Sequence, residues 1–181
     1  MVEFILLCIP SLIYVAVQSR RKDQTLQFAL RRVGASWGSA AAYGRAGLCL
    51  VPWLLSGWLL LGLIPEEVLS GPDLLIVRYT SVAVVIGAIL RAIGEEVFFR
   101  GLLAGVLIRR LGFWWGNLLQ TAIFLIPHLP LLFLDIRLWP FIPTQFIAGY
   151  LFGYLRHRSG TFVPVAIVHV VVNLSAGLIA L

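Results

Sequence analysis

The chain has 181 residues, 60% of them hydrophobic and 12% charged, with a formal net charge of +6 and a mean hydropathy of +0.97. Soluble domains run near about 45–50% apolar and about 25% charged, so this composition leaves a water-soluble fold without the polar residues to cover its surface. The positive charge does not point to nucleic acid, because the basic residues sit in short loops between apolar runs, the placement that orients a membrane protein.

In chain order, six apolar segments approach the roughly 20 residues that a bilayer core requires: Val2–Gln18, Ala46–Ile64, Leu74–Ile108, Phe113–Leu134, Phe141–Leu155 and Thr161–Leu181. They predict an all-α, polytopic transmembrane helical bundle forming a single integral membrane domain over residues 1–181. The first segment is expected to be a retained span, since Glu3 is its only early charge and no basic stretch precedes it. Cys8 and Cys49 each lie inside an apolar run without CxxC or metal-ligand spacing, which suits small core residues better than a disulfide framework.

Loop charge predicts the orientation. Arg20, Arg21, Lys22, Arg31, Arg32 and Arg45 lie between the first two segments beside Asp23 alone, whereas Glu66, Glu67 and Asp73 follow the second. Next come Arg109 with Arg110, then Asp135 with Arg137, and finally Arg156 with Arg158. Basic loops alternating with acidic or neutral ones place the basic loops in the cytoplasm and both termini outside. Within the first basic loop, Leu26, Ala29, Leu30 and Val33 recur at helical spacing, consistent either with a short helix on the membrane surface or with a plain basic loop. The third segment, Leu74–Ile108, would run about 52 Å as one straight helix, longer than any bilayer core. It must break, tilt or emerge, with Gly94 and Gly101 as the expected weak points.

Polar groups inside the apolar segments carry the chemistry, because an ionisable side chain there is expensive unless paired or functional. In Gly94-Glu95-Glu96-Val97-Phe98-Phe99-Arg100, Glu96 and Arg100 are four apart and can neutralise one another on a helix face. Glu95 is rotated by about 100° and gains no such local partner, which suits it to exchange protons. Asn117, Gln120, Thr121, Phe124 and His128 form a polar stripe on the next segment that should face the bundle interior, with Pro127 and Pro130 bracketing His128. His169 and Asn173 share a face of the last segment at i, i+4. Measured from the basic loops at helical rise, Glu95, His128 and His169 lie at about 21, about 24 and about 16 Å depth, close enough to meet. A carboxylate, two imidazoles and a carboxamide at one depth form a constellation able to activate water. His157, between Arg156 and Arg158 in a loop, is given no role.

Glu-Glu-x3-Arg at 95–100, Phe-x3-His at 124–128 and His-x3-Asn at 169–173, in this order and inside apolar segments, resemble the three motifs of the CPBP intramembrane proteases. That group includes the CAAX prenyl endopeptidases and the bacteriocin-processing, or Abi, enzymes. The tract Phe98-Phe99-Arg100-Gly101 and the glycines at 149, 153 and 160 are similar too, so the resemblance covers roughly Ala83 to Ala176 and the catalytic core is placed at 74–176. The resemblance implies that Glu95 and His128 position and activate the attacking water. It further implies that His169 and Asn173 stabilise the oxyanion, and that Glu96 pairs with Arg100 to hold the geometry. The implied substrate is a membrane-anchored protein or peptide in the lipid bilayer, cut at a CAAX-type tail, a leader or a C-terminal sorting tag. The implied location is a prokaryotic cytoplasmic membrane.

Other chemistries fit less well. Asp23, Asp73 and Asp135 all fall in loops, so no pair of membrane aspartates exists for an aspartyl mechanism. Gly34-Ala35-Ser36-Trp37-Gly38 matches G-x-S-x-G but lies in a basic loop rather than at a strand-to-helix elbow. Zinc bound by Glu95, His128 and His169 is chemically admissible. H-E-x-x-H is absent, however, and the base would then fall to Glu96, so a metal-free glutamic mechanism without cofactor is favoured. A catalytically silent scaffold, a bacteriocin self-immunity protein and a small proton-coupled transporter are the alternatives to an enzyme.

Overall fold

The computed structural model describes residues 1–22, 24–69 and 81–179, and every regular element among them is helical. Asp23, Asp73, the Leu74–Thr80 start of the third apolar segment and the last two residues lie outside the described residues. Helix α1 is Val2–Ser19, α2 Leu26–Val33, α3 Ala40–Leu48, α4 Leu50–Leu63 and α5 Glu66–Leu69. Helix α6, Val82–Glu95, passes into a π-helical segment, Glu96–Leu103, and on into α7, Ala104–Leu125. Short 3-10 turns at Ile126–His128 and Ile136–Leu138 flank α8, Leu131–Leu134, before α9, Phe141–Ser159, and α10, Val163–Ile179.

Among the described residues, two stretches are long and apolar enough to cross a membrane, Val2–Ser19 and the contiguous pair Ala40–Leu63, with Val163–Ala176 a shorter apolar helix. Large apolar side chains stand outward along them: Leu6, Leu12 and Ile13 on α1, and Val51, Leu55 and Leu59 on α4. Continuous apolar surface of this kind is suited to lipid and not to water.

The long third segment is bent differently from its sequence-based expectation. Gly94 does not break the helix; it seats α1, since a Cβ there would lie 3.2 Å from the Phe4 ring and 3.3 Å from Leu7. Gly101 falls within the π segment and likewise admits a neighbour, the Val33 carbonyl, 3.2 Å from where its Cβ would stand. From Val82 to Ile108 the described part of the segment stays helical, and the chain turns back only beyond it, at Gly112 in the expected Arg109–Gly112 loop, where φ of 75° and ψ of 171° interrupt α7. Positive φ is tolerated there because glycine has no Cβ.

Side-chain contacts fix the packing order. Helix α1 runs parallel to the α6–π–α7 rod, tied by Glu3 to Arg91 at 2.8 Å, by Ser11 Oγ to the Val97 carbonyl at 3.1 Å and by Tyr14 to Arg109 at 3.0 Å. After Gly112, α7 runs antiparallel to α9: Phe113 stacks on His157 at one end, and Asn117 and Gln120 donate to the carbonyls of Tyr150 and Gly149 further along. The polar stripe does face inward, with Asn117, Gln120 and Thr121 fully buried. Close approach here depends on Gly149 and Gly153, because a Cβ at Gly153 would fall 1.9 Å from Asn117 Oδ1.

The amphipathic helix of the first basic loop forms as α2, capped by Thr25 at its start and by Gly34, φ 74°, at its end. Ala35 N–H returns to the Leu30 carbonyl, completing a Schellman stop. The G-x-S-x-G tract is therefore a helix stop and loop. The Ser36 carbonyl accepts from the Thr161 hydroxyl, pinning this loop to the start of α10.

Candidate active site

The site is built on the change of helix type at Glu96. In a π-helix the backbone bonds reach five residues instead of four, so a short segment widens and re-aims its side chains; such segments recur at functional sites. Two of its carbonyls are met from outside the helix, Val97 by Ser11 Oγ and Arg100 by Arg156 Nε at 3.0 Å. Glu95 ends the α-helix and Glu96 opens the π segment, so the adjacent carboxylates fall on opposite sides of that change.

Glu96 and Arg100 are completely buried and meet at 2.8 Å through Arg100 Nη1 and Glu96 Oε1. A lone buried charge would be prohibitive, and the pair answers that requirement. Arg100 Nε and Nη2 have no hydrogen-bond acceptor among the described residues. Ring faces compensate: the guanidinium carbon lies 4.1 Å from the Phe124 centroid and 5.3 Å from that of Phe152, both within cation–π range.

His169 joins the two glutamates. Its Nδ1 lies 2.8 Å from Glu96 Oε1 and its Nε2 lies 3.8 Å from Glu95 Oε2. Since a carboxylate oxygen can only accept, Nδ1 of His169 carries a proton toward Glu96. Glu95 and His169 retain some exposure, at 17% and 12% of their side-chain surface, whereas Glu96 has none. The opening thus reaches Glu95 and stops before Glu96.

His128 occupies the 3-10 turn that ends the α7 line, where Pro127 cannot continue an α-helix. Its Nδ1 donates to the Phe124 carbonyl at 2.9 Å, which fixes the tautomer and leaves Nε2 as the free lone pair. The ring packs against Phe124 at 4.8 Å and lies within electrostatic reach of Glu95 and His169. Asn173 sits one turn beyond His169 on α10, half-buried, and takes part in contacts of its own.

All three motif segments therefore converge on Glu95. Helical spacing pairs Glu96 with Arg100 and gives Glu95 no neighbour on its own helix; the neighbour is His169, from the other end of the chain. Two residues escape that spacing. Phe152 sits in α9 between glycines with no polar signal, and Arg156 was read only as a topological charge although its side chain reaches the Arg100 carbonyl. Among the described residues, no group of three His, Cys, Asp or Glu side chains is placed to share one metal ion, so Glu95, His128 and His169 do not here form a ready ligand set.

A family model described as type II CAAX prenyl endopeptidase, Rce1-like, matches residues 78–175, more than half of the chain and all three motifs. No curated protein and no solved structure matches.

Proposed function

The chain belongs to the Rce1-like family of type II CAAX prenyl endopeptidases, and from that premise we propose a six-span membrane enzyme that uses Glu95 and His128 to drive water onto a peptide bond. Membership makes the chain a membrane-integral protease of the CAAX type, with a membrane-associated prenylated protein as the implied substrate. The observation that carries the mechanism is His169 standing between two glutamates of different character, one buried and paired, the other at the opening.

Each residue has one task in this reading. The Glu95 carboxylate and the Nε2 lone pair of His128 both face a water at the opening and orient it. Glu95 takes one proton as the water oxygen bonds to the substrate carbonyl carbon. Charge developing on the carbonyl oxygen is met by Nε2–H of His169 and by the Asn173 carboxamide. Glu95 then returns its proton to the leaving nitrogen as the C–N bond breaks. Glu96 acts through its neighbours: it holds Nδ1 of His169 and is itself held by Arg100.

The six spans are α1, α3 with α4, the α6–π–α7 rod to Gly112, α7 beyond Gly112, α9 and α10. Parallel packing of α1 with the rod, and antiparallel packing of α7 with α9, support that alternation. Both termini lie outside and the basic loops lie in the cytoplasm; a prokaryotic cytoplasmic membrane is the setting this implies. The reaction is metal-free.

The test is purified protein in detergent with a prenylated CAAX-tail peptide, cleavage being read by mass spectrometry. Release of the terminal tripeptide by the wild-type chain and none by Glu95→Gln supports the reading. Intact peptide with well-folded wild-type protein overturns it in favour of a silent scaffold or a transporter.

A further inference from the structure

Three arginines from separate parts of the chain converge at the end of α2. Arg109 Nη1 donates to the Arg32 carbonyl at 2.9 Å and Arg156 Nη2 to the same carbonyl at 3.3 Å. Arg109 Nη2 and Arg32 Nε share the Tyr14 hydroxyl, at 3.0 and 3.3 Å. Part of this is local helix chemistry, since the last carbonyls of a helix attract cations. Two carbonyls, of Arg32 and Arg100, and one phenol do not neutralise three guanidiniums, however, and no carboxylate among the described residues makes an ion pair with any of them.

The surroundings are those of a membrane interface. Arg31 and Arg110 are exposed beside the cluster, and so are Leu26, Phe28 and Trp37, apolar groups on or just after α2. Arg32 lies 5.5 Å from the Phe28 ring, joining the charged and apolar surfaces. An amphipathic helix with an aromatic neighbour lies in the headgroup plane.

We infer that Arg32, Arg109 and Arg156 form a binding site for the phosphate headgroup of an anionic lipid in the cytoplasmic leaflet, with Leu26, Phe28 and Trp37 entering the adjoining acyl boundary. A guanidinium matches phosphate oxygens with parallel donors, and three of them leave donors over after their protein contacts. The site knits α2 to the ends of the rod and of α9. Because Arg156 also grips the Arg100 carbonyl, an occupied headgroup site would brace the π segment from below.

The test is native mass spectrometry of the detergent-solubilised protein titrated with phosphatidylglycerol, with phosphatidylcholine of the same chains, or with inorganic phosphate. Phosphatidylglycerol should bind well ahead of phosphatidylcholine. Arg109→Gln, and separately Arg32→Gln, should weaken phosphatidylglycerol about fivefold each and leave phosphatidylcholine unchanged. Arg137→Gln, at the opposite loops, should change neither. Equal binding of the two lipids overturns the inference, as does phosphatidylglycerol binding untouched by both arginine variants. Displacement of phosphatidylglycerol by millimolar inorganic phosphate would make this a free-anion site and overturn the lipid assignment. None of these readings uses peptide cleavage, so they stand or fall apart from the proposed protease chemistry.

Discussion

Glu96 Oε1 accepts from Arg100 Nη1 and from His169 Nδ1, each at 2.8 Å, so one fully buried oxygen ties the first motif to the last. Replacing Glu96 with Gln leaves Arg100 charged and unpaired between two phenyl rings. Breaking a buried pair costs about 3–5 kcal/mol, and Glu96→Gln should accumulate poorly and melt early in detergent. Adding Arg100→Met should restore part of the stability, since it removes the buried charge that Glu96→Gln leaves unpaired. A Glu96→Gln protein that melts with the wild type would show that the pair carries little of the fold.

Glu95 should behave in the opposite way. Its carboxylate meets His169 Nε2 only at 3.8 Å and is partly exposed, so Glu95→Gln should melt within a degree or two of the wild type. Cleavage should fall by at least about 10²–10⁴, the usual contribution of a general base. Undiminished turnover in Glu95→Gln would remove the base proposed here.

The metal question has a direct measurement. The active preparation should hold well under one zinc per chain and keep its activity after treatment with a strong chelator. Stoichiometric zinc lost together with activity would make ligands of Glu95, His128 and His169 and displace the glutamic mechanism.

Glycine substitutions should separate packing from chemistry. A Cβ on Gly116 would stand 2.6 Å from the backbone of Leu107 and Ile108, and backbone cannot move aside as a side chain can. Overpacking costs about 1–3 kcal/mol, and Gly116→Ala should reach the upper end of that range. Gly153→Ala, against Asn117 Oδ1, should also destabilise. Gly57→Ala in α4 meets nothing within 4 Å and should be neutral or slightly stabilising. Thermal melts of the three variants rank them, and a harmless Gly116→Ala would mean that the reversal at Gly112 is not packed as described.

Topology can be read from reporter fusions. Arg137 joins Glu67 and Asp135 at 2.8 Å each, so α5 and the loop after α8 lie at one end of the bundle. Fusions after Lys22 and after Glu67 should report opposite sides of the membrane, and fusions after Glu67 and after Asp135 the same side. Any other pattern would overturn the six-span arrangement.

The sequence by itself determined the membrane class, the all-helical fold and the motif segments, because hydropathy, helical spacing and loop charge are local properties. The Glu96–Arg100 pair was legible for the same reason, both partners lying one turn apart on one helix. So was the inward face of Asn117, Gln120 and Thr121, since a polar stripe in lipid has nowhere else to turn. Contacts between distant segments were not legible. Nothing near Glu95 in the chain names His169, 74 positions on, and the rings around Arg100 come from two other helices. The change to a π-helix at Glu96 was also hidden. Around that segment, donors from α1 and α9 reach the Val97 and Arg100 carbonyls and the Val33 carbonyl approaches Gly101, contacts that no local pattern announces. Apolar periodicity says which face is buried; only packing decides what is buried against it, and so only the tertiary structure set His169 between the two glutamates.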